Sequence, residues 1–341
     1  TSPPGASDFC RMSGPLSDTA DASFAPWFAW SPDGQSLLMR IGWHGAGRIA
    51  SVSASGGEGV LHTDGGAELA PGAFAAREGL IVAVRSAPME PPEIAVAEVH
   101  GHLFEVEVRT SFNSSFRQSR ALVTPREAWE TPDGRIRSGA PRSKGRRSGH
   151  AVHAWVMRPP PGAPRRGGAA ILQVHRGPHA QYGVSFFHEF QVLAAAGYTV
   201  VFSNPRGSKG YGARFCGAIR GRWGTADWKD VQSVTRFMAR LPGVNRARLA
   251  IMGGSYGGYM ANWAIAHSKD YRAAITDRCV SDLSSMCGTS DYPEVPDLYW
   301  PGVAWDRPQA LRRSSPITCF KGVRTPTLII HSEGDLRCNI E

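Results

Sequence analysis

The sequence contains no run of 18 consecutive apolar residues, so none of its helices is expected to span a membrane. Its six cysteines are Cys10, Cys216, Cys279, Cys287, Cys319 and Cys338, with no C-x-x-C pair and no cysteine–histidine cluster at zinc spacing. A structural zinc site is therefore not encoded, and free thiols in a reducing, cytoplasmic compartment are expected. There is no phosphate-cradling loop ending in Gly-Lys-Ser/Thr, and no G-x-G-x-x-G after a strand. No cofactor and no metal are expected. Acids are outnumbered by bases, 29 against 38, for a net charge of +9. That balance disfavours cationic substrates at long range but does not report fold. No acid falls between Arg135 and Arg147, where Arg137, Arg142, Lys144 and Arg146 also lie. No aromatic residue is interleaved with them, so Pro132 to Gly168 reads as a solvated insertion, and neither nucleic acid nor membrane is an expected partner.

What remains is a globular composition, 42% hydrophobic and 20% charged, over a length that supports two domains. The most informative stretch is Leu249-Ala-Ile-Met-Gly-Gly-Ser-Tyr-Gly-Gly258. Four apolar residues enter Gly253-Gly254-Ser255-Tyr256-Gly257, and a helical pattern runs from Tyr256 to Ala266. Strand, tight turn and helix form the context in which G-x-S-x-G acts as a nucleophile elbow. The turn holds the serine oxygen at the carboxyl edge of a sheet, and the next backbone N–H, that of Tyr256, faces the developing oxyanion.

The flanking sequence alternates strands with helices. Ala169–Val174 reads as a buried parallel strand, and Tyr198–Phe202, Tyr271–Thr276 and Pro326–His331 as further short strands, with helices over Phe186–Ala196 and Asp227–Arg240. This predicts a doubly wound, mostly parallel sheet with its chemistry at the carboxyl strand ends. Gly177, just past the first of these strands, is a candidate second oxyanion donor; a plain Gly-Pro turn is the alternative. Asp335 lies beyond the last strand, where the acid of an α/β-hydrolase triad belongs, with Glu333 as a weaker rival. In that fold the base is a histidine that follows the acid. Only Leu336 to Glu341 follow here, and none is a histidine. His331 precedes the acid and reads as structural; His175, His179 and His188 lie on the wrong side of the chain order. The last sheet strand, its helix and the triad histidine are therefore expected to be missing from the sequence.

From Ala169 to Asp335 the chain resembles the prolyl oligopeptidase family of serine peptidases, nearest its acylaminoacyl-peptidase branch. The resemblance rests on Val174-His-Arg-Gly-Pro178, Tyr182-Gly183, Asn204-Pro-Arg-Gly-Ser-Lys-Gly-Tyr-Gly212, Trp223-Gly224, Asp227-Trp-Lys-Asp-Val231, Gly253 to Tyr259 and His331-Ser-Glu-Gly-Asp335. It implies Ser255 as nucleophile, Asp335 as acid, backbone donors at Tyr256 and Gly177, short peptide substrates and release of N-acylated residues or short N-terminal peptides. Arg176 stands where the family usually has glycine. A carboxylesterase on the same elbow, and an inactive fragment that binds peptides, are the alternatives.

Family members carry a β-propeller before the hydrolase domain. Phe28 to Met39 looks like a propeller hairpin around Pro32-Asp33-Gly34, and Arg48–Ser53, Gly79–Val84 and Ile94–Val99 continue as short strands. Two blades before Arg120 are expected: a partial propeller over residues 1–120 and an α/β-hydrolase domain over 121–341. Two blades do not close, and their open edges would favour homo-oligomers. Asp277 to Tyr299, with Met286 and Tyr292, is expected to line the substrate pocket.

Overall fold

The computed structural model describes residues 27–75, 79–99, 103–130, 136–137, 151–292, 300 and 305–340. Cys10, Tyr299 and all of the basic cluster except Arg137 lie outside the described residues.

Two small antiparallel sheets come first. One is β1 (Phe28–Trp30), β2 (Ser36–Trp43), β3 (Ala46–Ser53) and β4 (Val60–Leu61); the other is β5 (Glu68–Ala75), β6 (Leu80–Ala87), β7 (Glu90–Glu98) and β8 (Glu105–Val108), each in chain order. The expected Pro-Asp-Gly turn joins β1 to β2. The Asp33 carboxylate accepts from Ser31 Oγ (2.6 Å) and the Gln35 N–H (3.0 Å), and Gly34 takes φ 68°. His44 and Gly45, at φ 50° and 76°, connect β2 to β3, as a two-residue hairpin with the right twist requires. Leu38, Ile49, Leu69, Ile81 and Phe104 form one core shared by both sheets. The buried Arg40–Glu68 ion pair also joins them, and Arg40 Nε donates to the Leu69 carbonyl (2.8 Å).

After α1 (Ser114–Ser119) the chain builds an eight-stranded mixed sheet from β9 (Arg126–Glu130), β10 (Ile136–Arg137), β11 (Val152–Met157), β12 (Ala170–Val174), β13 (Thr199–Asn204), β14 (Leu249–Gly254), β15 (Tyr271–Asp277) and β16 (Thr327–Ile330). Its order is β10-β9-β11-β13-β12-β14-β15-β16. The pairings from β13 to β16 are parallel, and β11 meets β13 antiparallel. All five residues of β12 are buried, as both faces of an inner parallel strand must be. The chain steps from β12 to one side for β13 and to the other for β14, which makes the carboxyl end of β12 a topological switch point.

One face of the sheet carries α4 (Ala226–Arg240) and α5 (Tyr256–His267). The α4 stripe of Trp228, Val231, Val234, Thr235 and Met238 is buried, as its helical spacing predicts. Each aliphatic residue of that stripe contributes about 1.5–3 kcal/mol by leaving water. On the other face, α2 (His188–Ala195) closes over an aromatic cluster of Trp155, Tyr182, Phe187, Phe190 and Phe202. Among the described residues the remaining α-helices are α3 (Ala213–Cys216), α6 (Leu283–Thr289) and α7 (Pro308–Ser314).

The tip of the β2–β3 hairpin docks on the larger sheet through main chain. The His44 N–H donates to the Gly210 carbonyl (3.0 Å) and the Val184 N–H to the Gly45 carbonyl (2.8 Å). A Cβ on Gly183 would lie 1.6 Å from that Gly45 oxygen, so only glycine permits this approach.

On β9, Glu130 is buried against α4. Burial raises its pKa to about 7 against the hydrogen bond from Ser233 and the charge of Arg240, 3.2 Å away. A carboxyl whose folded pKa exceeds its unfolded value favours folding while protonated. Stability should therefore fall as pH rises from about 4.5 to about 7. Glu130→Gln should flatten this slope, by up to about 3 kcal/mol across the window, as read by urea unfolding at stepped pH; an unchanged slope would assign it to other groups.

Candidate active site

Ser255 sits between β14 and α5 with φ 56° and ψ −120°, a region that L-residues rarely occupy and that costs about 1–3 kcal/mol. Its surroundings hold it there. The Ser255 N–H donates to the carbonyls of Asp277 (3.0 Å) and Arg278 (3.1 Å) at the end of β15. Arg278 is itself at φ 36°, and its N–H donates to the Ile330 carbonyl at the end of β16 (2.7 Å). From the other side the first turn of α5 presses on β12: a Cβ on Gly257 would lie 2.2 Å from the Val174 carbonyl oxygen. The glycine of G-x-S-x-G is thus imposed by close approach of backbone to backbone.

The neighbouring strands bring the other site residues to the same edge. Val174 is in register with Gly253, so the loop carrying Gly177 (φ 123°) leaves the sheet beside the elbow. Tyr256 is the first residue of α5, and N–H groups of a first helical turn have no intrahelical acceptor. Gly254, Asp277 and Ile330 form one row across β14, β15 and β16. Asp335 follows that row. Its Oδ1 accepts from the N–H groups of Arg337 and Cys338, both at 2.9 Å. Cys338 Sγ in turn lies 3.7 Å from Ser255 Oγ. Asp335 thus caps a turn whose Cys338 lies against Ser255, whereas Glu333 is exposed. Burial pushes the Cys338 thiol up, which keeps it protonated at neutral pH and unfit to take the serine proton.

No described histidine hydrogen-bonds to Ser255 Oγ. His175 is fully buried, with Nδ1 2.6 Å from the Arg176 carbonyl and Nε2 2.8 Å from Ser208 Oγ. Burial lowers its pKa to about 4, so it is neutral and both ring nitrogens are occupied. His179 Nδ1 meets the Gly207 carbonyl (2.7 Å), and His331 Nε2 the Cys338 carbonyl (2.6 Å). His188, at the start of α2, lies beside the rings of Phe116 and Phe186. Among the described residues no group of three His, Cys, Asp or Glu side chains is placed to hold a metal. Met286, with Cys279, Ser281 and Cys338, lines a cavity of about 20 Å³, room for one water. Tyr292 instead lies under the Arg337 guanidinium, whose Cζ is 4.9 Å from the ring centroid.

The Cys338 contact and the strained Arg278 were not foreseen from the sequence. Both arise where loops distant in the chain meet, and neither leaves a local pattern.

The mixed sheet and the strained serine between strand and helix define an α/β-hydrolase-like protein. Comparison with known proteins narrows this further: residues 184–341 match the model of the prolyl oligopeptidase family, Peptidase_S9. An uncharacterized peptidase, YuxL, of Bacillus subtilis (strain 168) is 43% identical over 195 residues, covering 57% of this chain and 30% of that protein. The acylaminoacyl peptidase of Pyrococcus horikoshii superposes with a TM-score of 0.74 at 25% identity, over 90% of this chain and 46% of its own. An acylaminoacyl peptidase solved in complex with Z-Gly-Gly-Phe-chloromethyl ketone gives the same TM-score and identity, over 92% and 47%. The chain spans less than half the length of the curated relatives it matches.

Gly257→Ala tests the packing that sets the serine. The new methyl meets a main-chain oxygen, so the elbow must shift. Labelling of Ser255 by a fluorophosphonate should slow roughly 100-fold, with a loss of about 1–3 kcal/mol in stability. Labelling at the wild-type rate would show that the elbow tolerates the shift.

Proposed function

We propose that this protein is a serine peptidase that cleaves short peptides through an acyl-enzyme, releasing N-acylated amino acids or short N-terminal peptides. The observation that carries this reading is Ser255 held at positive φ between β14 and α5, with Asp335 reaching it through Cys338. In the proposed mechanism Ser255 Oγ attacks the peptide carbonyl while a histidine takes its proton, and Asp335 orients that histidine. The N–H groups of Tyr256 and Gly177 bind the oxyanion. The histidine returns the proton to the amine as the C–N bond breaks, and water then releases the acyl group by the same steps in reverse. The similarity to an acylaminoacyl peptidase bound to a peptide chloromethyl ketone supports peptides as the substrate class.

The proposal extends to organisation. Residues 1–120 are assigned to a partial propeller whose two sheets restrict entry to short, unfolded peptides, and residues 121–341 to the hydrolase domain. No described helix is long and apolar enough to cross a membrane. The described cysteines are held in no disulfide, which supports a cytoplasmic location. Association of copies through open sheet edges is part of the same proposal.

The decisive experiment combines turnover, labelling and mass. Ser255→Ala should abolish hydrolysis of an N-acylated amino-acid anilide and all fluorophosphonate labelling without changing the fold, and activity retained in that variant would end the assignment. Cleavage of esters but not anilides would favour a carboxylesterase. An unlabelled wild-type protein whose intact mass equals that of these 341 residues would favour a peptide-binding fragment without catalysis.

A further inference from the structure

The two proposed oxyanion donors belong to different loops, that of Gly177 after β12 and that of Tyr256 after β14. Tyr256 carries more than its N–H. Its ring is buried between Trp223 (centroids 4.9 Å apart, edge-on) and Tyr259 (5.7 Å, stacked), and its hydroxyl donates to Asp227 Oδ2 at 2.7 Å. Asp227 is wholly buried in the first turn of α4. Its carboxyl also accepts from the N–H groups of Gly224 (3.1 Å, Oδ2) and Trp228 (2.9 Å, Oδ1), so its position is fixed by main chain. One turn on, Asp230 takes the Arg206 guanidinium through both oxygens (Nε 2.9 Å, Nη2 2.6 Å) and accepts the Arg206 N–H (2.8 Å). Arg206 opens the loop whose Ser208 holds His175, at the base of the Gly177 loop. The start of α4 is thus joined by short polar contacts to both loops that carry the donors.

We propose that Asp227 is a positioning residue for the oxyanion site: by fixing the Tyr256 hydroxyl it fixes the direction of the Tyr256 N–H. The inference rests on the serine-hydrolase reading above. The α carbon of Tyr256 stands between its N–H and its ring. With the ring clamped at its faces and its tip, the first residue of α5 has no freedom to rotate. A donor fixed before the reaction stabilises the tetrahedral intermediate without reorganising at the moment of attack. Binding of the planar substrate does not draw on that donor to the same degree, so the effect belongs in kcat and not in KM.

The test uses the intact protein and the variants Tyr256→Phe and Asp227→Asn. Active sites are counted with a fluorophosphonate, and kcat and KM are measured per labelled site on an N-acylated amino-acid anilide. Inhibition is compared for a peptide aldehyde, which forms a tetrahedral adduct, and the corresponding peptide alcohol, which does not. In Tyr256→Phe, kcat per labelled site should fall roughly 10- to 100-fold, a fraction of the loss of a whole oxyanion donor. KM should stay within about twofold, aldehyde affinity should fall in step with kcat, and alcohol affinity should hold. If kcat per site and aldehyde affinity are unchanged while thermal stability drops, the contact only packs the core and the proposal is overturned. Should Asp227→Asn not fold, Tyr256→Phe alone decides. Wild-type protein that is neither labelled nor active overturns the underlying peptidase reading, a result distinct from normal turnover in both variants.

Discussion

The backbone strain at Ser255 is the constraint on which the rest of the site depends. A serine at φ 56° does not stay there unaided, and three separate strands contribute to keeping it. Carbonyls at the end of β15 receive its N–H, the end of β16 receives the N–H of Arg278, and the end of β12 meets the first turn of α5 with no space for a side chain. Register across the parallel sheet delivers all three to one edge. The sheet is therefore more than a scaffold that displays the serine, because its strand ends are the parts that deform the serine's backbone.

Much of this was legible in the chain. The strand–turn–helix around Ser255, the buried stripe of α4 and the positions of β12 to β16 follow from apolar runs and periodicity; β16 departs from the rest in being exposed along Leu328, Ile329 and Ile330 at the edge of the sheet. The expected placement of Asp335 beyond the last strand agrees with where it lies. The small N-terminal sheets were harder to read. β5 and β7 contain Pro71 and the pair Pro91-Pro92, residues that argue against inner strands. The sheet accommodates them at register shifts between Pro71 and Ala73 and opposite the shift between Arg85 and Ala87, where the ladder is already interrupted. Two blades of an unclosed propeller were expected; the described residues form two small four-stranded sheets, and a propeller is not established from them.

What sequence reasoning lacked was contact between distant loops. The motif stretches Asn204 to Gly212 and Asp227 to Val231 were recognisable as signatures without an evident purpose. In the folded chain the second stretch carries two buried acids at the start of α4, with partners 24 and 29 residues away: Arg206 of the first stretch for Asp230, and Tyr256 for Asp227. A buried carboxylate is costly unless several donors converge on it, and such convergence is a property of the tertiary structure alone. Cys338 illustrates the same limit: only the turn closed by Asp335 brings its sulfur to Ser255.

The docking of the β2–β3 hairpin tip has a consequence for how the sequence can drift. His44, Gly45, Gly183, Val184 and Gly210 meet through amide and carbonyl groups that every residue except proline possesses. Side chains enter at defined places: Gly45, Gly183 and Gly210 leave no room for a Cβ, and the His44 ring stacks on Tyr211 (5.5 Å) and meets Trp129 edge-on (5.4 Å). Around it Ser86 Oγ accepts the Phe186 N–H (3.0 Å) and Gln191 Nε2 donates to the Pro88 carbonyl (3.0 Å), so surfaces away from these contacts are the ones free to change composition and charge. A joint whose hydrogen bonds are written in main chain tolerates substitution wherever these few side chains are kept.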